Sequence, residues 1–314
     1  MAVYDKSGNV ISTLVSNNSL QNYIYPSIDA YSVPYYPGHD TTFVGDNIWA
    51  FNAPTDGGAI KVYNTSLVLQ KSMTHNFYFT RKNGTTYELR MKSVDYNPVN
   101  EVLMVGNGYG PTETEGLLFM FYDCDDWLSM SATIDFTNCG SYSKIDVTEL
   151  GSNRAYGFWA GKCEENDQIY LTIGEFADIY LLRLGKGTNQ LAKGTYASAD
   201  ASKYNGTWEI LKHWTQKETP ATPFAPHGGQ AYNGCLYAAD NLADTCRIFK
   251  VNLNDDGYMT FDVLDLVHYS NSGNGIVHQA IDGMCIKDGI IYASPLRING
   301  AYNYAQKVVF KIKI

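Results

Sequence analysis

Residues 225–241, APHGGQAYNGCLYAADN, divide into a glycine-bearing start and the nine-residue window NGCLYAADN (233–241). The window opens on a polar turn, runs through strand-forming residues and returns to Asn, which reads as a turn leading into a strand. Four other windows take the same form: GDNIWAFNA (45–53), VNEVLMVGN (99–107), NDQIYLTIG (166–174) and DGIIYASPL (288–296). A second strand follows each one after a short polar or glycine-containing link: GAIKVYN (58–64), GLLFMFY (116–122), DIYLLRL (178–184), CRIFKVN (246–252) and KVVFKI (307–312). The equivalent residues Ile48, Val102, Ile169, Leu236 and Ile291 stand 54, 67, 67 and 55 residues apart. A repeat of this kind is one supersecondary unit that needs its neighbours to bury its faces.

Four units offer a further outer strand, in LVLQKSM (67–73), MSATIDF (130–136), WEILKHW (208–214) and MTFDVLDLV (259–267). The fifth unit ends at Ile314 with nothing left to supply one, while the N-terminal residues carry spare strand material in AVYDKSGNVISTLV and SLQNYIYPSIDAYSV. A strand lent by one chain end to the sheet built by the other removes an exposed edge and ties a ring shut. The pattern therefore resembles the five-bladed β-propeller families. The resemblance implies an all-β chain forming one domain over residues 1–314, with 1–36 as an N-terminal closing strand or hairpin segment. A many-stranded β-sandwich is the alternative. Runs such as GLLFMFY lack polar alternation, as expected of sheets buried on both faces.

Composition narrows the function classes. The formal charge is −9, from 32 acidic and 23 basic residues, with no basic run of the kind that phosphate backbones require. Nucleic acid is excluded as an expected partner. Apolar stretches fall far short of the roughly 20 residues that span a bilayer. The N-terminus shows neither a basic leader nor an apolar segment, so no classical signal peptide is read there. Six cysteines lack metal-finger spacing and read as buried thiols, with Cys124–Cys139 or Cys235–Cys246 as the disulfides open to them. DCDDW (123–127) lacks the glycine and closing glutamate of a calcium loop and reads as a turn. No phosphate loop, dinucleotide fingerprint or nucleophile elbow is present, so no cofactor is expected.

The innermost strand of each unit should precede its window. Counting back nine positions gives His39, Ser93, Ala160, His227 and Asp282. With side chains alternating along a strand, equal offsets share a facing provided no bulge intervenes. His39, His227 and Asp282 would then meet near the axis, with His278 and Gln279 just upstream. Such a group suits hydrogen bonding to a sugar, or a metal held by imidazole and carboxylate at His39, His227 and Asp282. A channel lined by polar residues that satisfy one another is the competing reading.

GHDTTFVGDNIWAF (38–51) looks similar to the first strand of five-bladed propeller glycosidases. That resemblance implies Asp40 as base, Asp95 from the next blade, and Glu149 or Glu164 as acid. Asp40 lies one position past the common offset and Asp95 two, so alternation aims them at opposite faces.

The 25 tyrosines suit exposed recognition surfaces as well as strand interiors. Tyr109, Trp127, Trp159, Tyr204 and Trp214 are the aromatics placed by the sequence near loops. MAVYDKSGNVISTL (1–14) is similar to the YD-x-x-GN-x-(I/L) segments that open many phage and prophage tail-associated proteins of gut bacteria. It implies an extracellular or virion-associated protein whose partners are other tail proteins and a glycan or bacterial surface receptor. The resulting expectation is a non-enzymatic recognition module, with a glycoside hydrolase or a structural virion protein as alternatives.

Overall fold

A computed structural model describes residues 2–4, 10–13, 21–24, 26, 28–34, 39–81, 83–91, 93–98, 101–107, 116–150, 168–173, 178–184, 208–216, 226–240, 246–266, 278–298, 301–302 and 306–314. The strands form five antiparallel units around an axis. Blade one is Asp40–Val44, Asn47–Phe51, Ala59–Tyr63 and Leu69–Thr74; blade two is Ser93–Asn97, Val102–Gly106, Leu117–Phe121 and Tyr142–Asp146. Blade three shows Gln168–Ile173, Asp178–Leu184 and Trp208–Gln216, and the residues preceding them lie outside the description. Blade four is Pro226–Tyr232, Cys235–Asp240, Arg247–Leu253 and Tyr258–Asp265. Blade five is His278–Lys287, Ile290–Ile298 and Gln306–Lys313, and its outer strand is Ile28–Pro34 from the other end of the chain.

Period-two alternation explains why these strands are apolar on both sides. In blade two, Leu103 and Val105 pack with Trp49, Phe51 and Val62 of blade one, whereas Val102 and Met104 pack with Ile169, Leu171 and Leu182 of blade three. Each sheet therefore feeds two seams. Five buried clusters result: one each between blades one and two, two and three, three and four, and four and five, and a fifth in which Val33, Cys285, Tyr292 and Val309 meet Phe43, Ile48, Ala50 and Tyr63. Two stacked layers would share one core. The chain is a five-bladed β-propeller closed by an N-terminal strand, and the sandwich alternative does not describe it.

The register carries the sequence spacing faithfully. Phe43, Asn97, Ala231 and Ile286 pair with Ile48, Val102, Leu236 and Ile291, so the first hairpin has one length in all four blades whose inner strand is described. The expected outer strand at 130–136 is a correction. Blade two takes Tyr142–Asp146 instead, and Ile134 makes only an isolated bridge to His75. Local side-chain chemistry competes with the ladder here: Asp135 Oδ1 accepts from both the Thr137 amide and its hydroxyl, and Asn138 Oδ1 accepts from the Asp135 amide. DCDDW, read as a turn, enters a 3₁₀ helix over Cys124–Ser129.

The N-terminal AVY and VIST segments pair as a hairpin, Ala2–Tyr4 with Val10–Thr13. Gln21–Ile24 continues it and pairs parallel with Phe261–Leu264 on the rim of blade four. Cys124, Cys139, Cys235, Cys246 and Cys285 are free thiols, so neither candidate disulfide forms, and Cys163 lies outside the described residues. No helix among the described residues is long and apolar enough to cross a membrane.

Candidate functional site

Inner strands are edge strands, and their axis-side amides have no neighbouring ladder to bond. Side chains of the preceding blade fill that role. Asp40 Oδ2 accepts from the Val94 amide at 2.6 Å, and Thr42 Oγ1 accepts from the Tyr96 amide at 3.1 Å. Gln230, at the position equivalent to Thr42, accepts from the Ile286 amide through Oε1 at 2.6 Å. Asp40 Oδ1 also takes the Thr41 amide, while Asp95 Oδ1 accepts from the Tyr96 amide and the Thr42 hydroxyl. Both carboxylates are at most 3% exposed. They do not point from opposite faces of their sheets: Asp40 pairs with Phe51, on the face of blade one that meets blade two, and Asp95 pairs with Met104, on the face of blade two that meets blade three. Both nonetheless serve the blade-one to blade-two interface, Asp40 through the Val94 amide and Asp95 through the Thr42 hydroxyl.

The seam between blades five and one is tight as well. Gly283, equivalent to Asp40, has its missing Cβ direction aimed at blade one, where an added Cβ would stand 2.6 Å from Asp40 Cα. Only glycine fits so close to backbone.

His39 begins the first inner strand and is 5% exposed, with Nε2 2.6 Å from Asp56 Oδ2. His227 and Asp282 hold the equivalent offset, but both fall at register shifts, between Pro226 and Gly229 and between Ile281 and Gly283. A bulge therefore intervenes in blades four and five, and the shared facing expected for the three residues does not follow from alternation. The side chains of His227, His278, Gln279 and Asp282 lie outside the described residues, as do Tyr109, Trp159, Glu164 and Tyr204 entirely. Among the described residues no group of three or more His, Cys, Asp or Glu is arranged to hold a metal.

Three other candidates are relocated. Trp127 is fully buried, donating its indole N–H to the Cys139 carbonyl at 3.0 Å and packing on Trp49, Phe77 and Phe121. Trp214 is 5% exposed and donates to the Asn254 carbonyl. Neither offers a free face: Trp127 covers a blade end from its 3₁₀ connection, and Trp214 packs from the outer strand of blade three into the seam with blade four. Glu149 is exposed on the 3₁₀ turn Thr148–Leu150, just beyond the fourth strand of blade two. Three strand spacings, about 14 Å, separate that strand from the inner one, so Glu149 is not an axial acid.

The described residues do converge at the mouth where the inner strands end. A cavity of about 220 Å³ is lined by Phe43, Tyr96, Tyr232 and Ile286 with Gly45, Pro98, Lys287 and Asp288. All four described inner strands contribute. Lys287 Nζ donates to the Gly45 carbonyl and the Asp46 carboxylate and sits 5.3 Å from the Phe43 ring. Its hydrogen bond and charge hold the Asp46 carboxyl below its ordinary range. Burial pushes the Tyr96 phenol up, so it stays protonated and able to donate. Sequence reading missed this basin because Tyr96, Tyr232 and Lys287 share no motif; the signal was their common position at the ends of equivalent strands.

No protein-family model matches the chain, and no curated protein matches it. Solved structures do. An exo-β-1,3-galactanase from Phanerochaete chrysosporium, in complex with β-1,3-galactotriose, is similar at 14% identity and a TM-score of 0.49, over 99% of this chain and 63% of that one. An auxiliary nutrient binding protein from Bacteroides ovatus matches at 11% identity and 0.42, covering 100% and 83%. The WD40 β-propeller domain of Doa1 matches at 8% and 0.37, covering 91% and 97%. At such scores no site or activity passes from these proteins to this one.

Proposed function

We propose that this protein is a non-enzymatic recognition module that binds a glycan, and that the basin at the mouth where the inner strands end holds one sugar ring. The carrying observation is the basin itself: Tyr232 supplies half-buried aromatic surface, Phe43 and Tyr96, each 6% exposed, close its floor, and neither tyrosine hydroxyl has a protein hydrogen bond among the described residues. Aromatic faces with unspent hydroxyls suit the apolar face and hydroxyl rim of a pyranose. At about 220 Å³ the space is below the ~300 Å³ where pockets for drug-sized ligands begin, so it accepts a single ring. Hydrolysis asks for two carboxyls flanking the bond in an open cleft, about 5–9.5 Å apart. Asp40 and Asp95 are instead committed to backbone amides inside a seam. With the phage-like N-terminal segment, this reading places the protein outside the cell or on a virion, with a bacterial surface glycan or receptor and other tail proteins as partners.

Glycan-array screening followed by calorimetry tests it. Binding should occur without release of reducing sugar, and Tyr232→Ala should weaken it at least about tenfold, the loss of roughly one stacking contact. A hydrolysis product that disappears in Asp40→Asn would overturn the reading.

A further inference from the structure

Residues 81–92, RKNGTTYELRMK, hold four basic side chains and one acidic, a local charge of +3 in a chain whose net charge is −9. Its described residues close a small hairpin, Tyr78–Thr80 paired with Thr86–Glu88, in the connection from blade one to blade two. It stands at the mouth opposite the aromatic basin, where Ser93 begins the second inner strand. A polar chain ties it to that mouth: the Thr55 amide donates to Glu88 Oε2 at 3.0 Å, and the neighbouring Asp56 pairs with His39.

Two guanidinium groups flank one ring there. Arg81 lies 3.7 Å and Arg90 5.5 Å from the centroid of Tyr87. Arg81 is 8% exposed, its backbone fixed by the Arg81 amide on Thr85 and the Gly84 amide on Arg81. The Arg90 side chain is 31% exposed and sits with Nε 2.9 Å from Glu88 Oε1. Both Glu88 oxygens are thereby engaged. The terminal nitrogens of Arg90 have no further partner among the described residues. A guanidinium ion-paired to one carboxylate and lying over an aromatic ring is organised to receive an oxyanion through its terminal nitrogens.

We propose that Arg90, backed by Tyr87 and Arg81, is a subsite for the acidic group, carboxylate or sulfate, of an anionic saccharide. The proposal rests on the saccharide reading above but uses a different face of the ring. The remainder of the chain carries −12, so a polyanionic ligand finds its attraction concentrated at this hairpin. Tyr87, lying between the two guanidinium groups, fixes their planes.

Calorimetric titration of the full chain with trigalacturonic acid, its methyl ester, 3′-sulfolactose and lactose tests the subsite. At about 50 mM salt each acidic probe should bind at least tenfold more tightly than its neutral counterpart, and the preference should shrink at about 0.5 M, where screening reaches ~4 Å. Arg90→Ala should abolish the preference, Arg90→Lys should restore part of it, and Tyr232→Ala should leave it intact. A stronger preference within the sulfate pair than within the carboxylate pair would assign the anion's source at the same site. Equal binding of acidic and neutral probes, or a preference that survives Arg90→Ala, overturns the subsite while leaving the glycan reading standing. Failure of every saccharide, neutral or acidic, overturns both.

Discussion

Val94 and Tyr96 lie on a strand with no neighbour on its axial side, and an unpaired buried amide costs about 1–3 kcal/mol. Asp40 and Thr42, two residues apart on the same face, answer both amides at once. The consequence is a separable prediction. Asp40→Ala leaves the Val94 amide and a small void in the seam, and should cost about 2–3 kcal/mol in chemical denaturation. Asp40→Asn keeps an acceptor oxygen at the same reach and should cost less than half of that. Equal losses for the two variants would mean that charge, and not acceptance of the Val94 amide, is what Asp40 contributes. In the sequence, Asp40 stood out only as the base that the glycosidase resemblance implies. The sequence could not show that its partner was a backbone amide 54 positions away, because a backbone N–H leaves no mark in composition.

Connections behave as units because single side chains clamp them. His75 ends the outer strand of blade one and holds the turn between the second and third strands, its Nε2 2.7 Å from the Asn52 carbonyl. Gly58 in that turn has φ +55, and a Cβ there would overlap the His75 carbonyl oxygen. Burial, with a smaller contribution from the His39 charge, pushes the His75 imidazole down to about 4, against the opposing pull of the Asn52 carbonyl and Glu88. Between pH about 4 and 6.5 the unfolded chain therefore binds more protons than the folded one, and stability rises with pH across that window. It is fully present above 6.5 and is lost as pH falls toward 4, by about 3 kcal/mol at ~1.4 kcal/mol per unit. Denaturation midpoints measured from pH 4 to 7 should show this slope, and His75→Gln should flatten it. An unchanged slope in that variant would place the titration elsewhere. Among the described residues the expected outer strand failed at 130–136, where an alternating strand-like run was overridden by Asx hydrogen bonds and by Phe136, which packs among Phe77, Phe119 and Tyr142.

At the scale of the molecule, stability depends on closure. Ile28–Pro34 pairs along its length with Gln306–Lys313, and Val33 is buried against Phe43 and Val309 in the seam that joins blade five to blade one. A chain starting at residue 35 should lose on the order of 4–7 kcal/mol, from roughly seven residues of ladder at ~0.5–1 kcal/mol per bond, and should self-associate through the bared edge. Fusing residues 26–34 after Ile314 through a flexible linker should restore both stability and monomeric behaviour, as judged by denaturant midpoint and light scattering. A truncated chain as stable as the full one would show that the ring does not need its N-terminal strand.

The repeat, the hairpin length, the missing outer strand and its N-terminal donor were all legible in the sequence, because each is written in local periodicity and in the count of strands. Strand register followed from the same count. What tertiary structure alone decided was facing and exposure. His227 and Asp282 share an offset with His39 yet sit at bulges, Trp127 and Trp214 turn inward, and Asp40 and Asp95, one offset apart, take the same face of their sheets. The aromatic basin and the arginine-flanked Tyr87 belong to the same class. Alternation determines which residues share a face of one strand, but which surface that face meets is set by the packing of whole sheets around an axis.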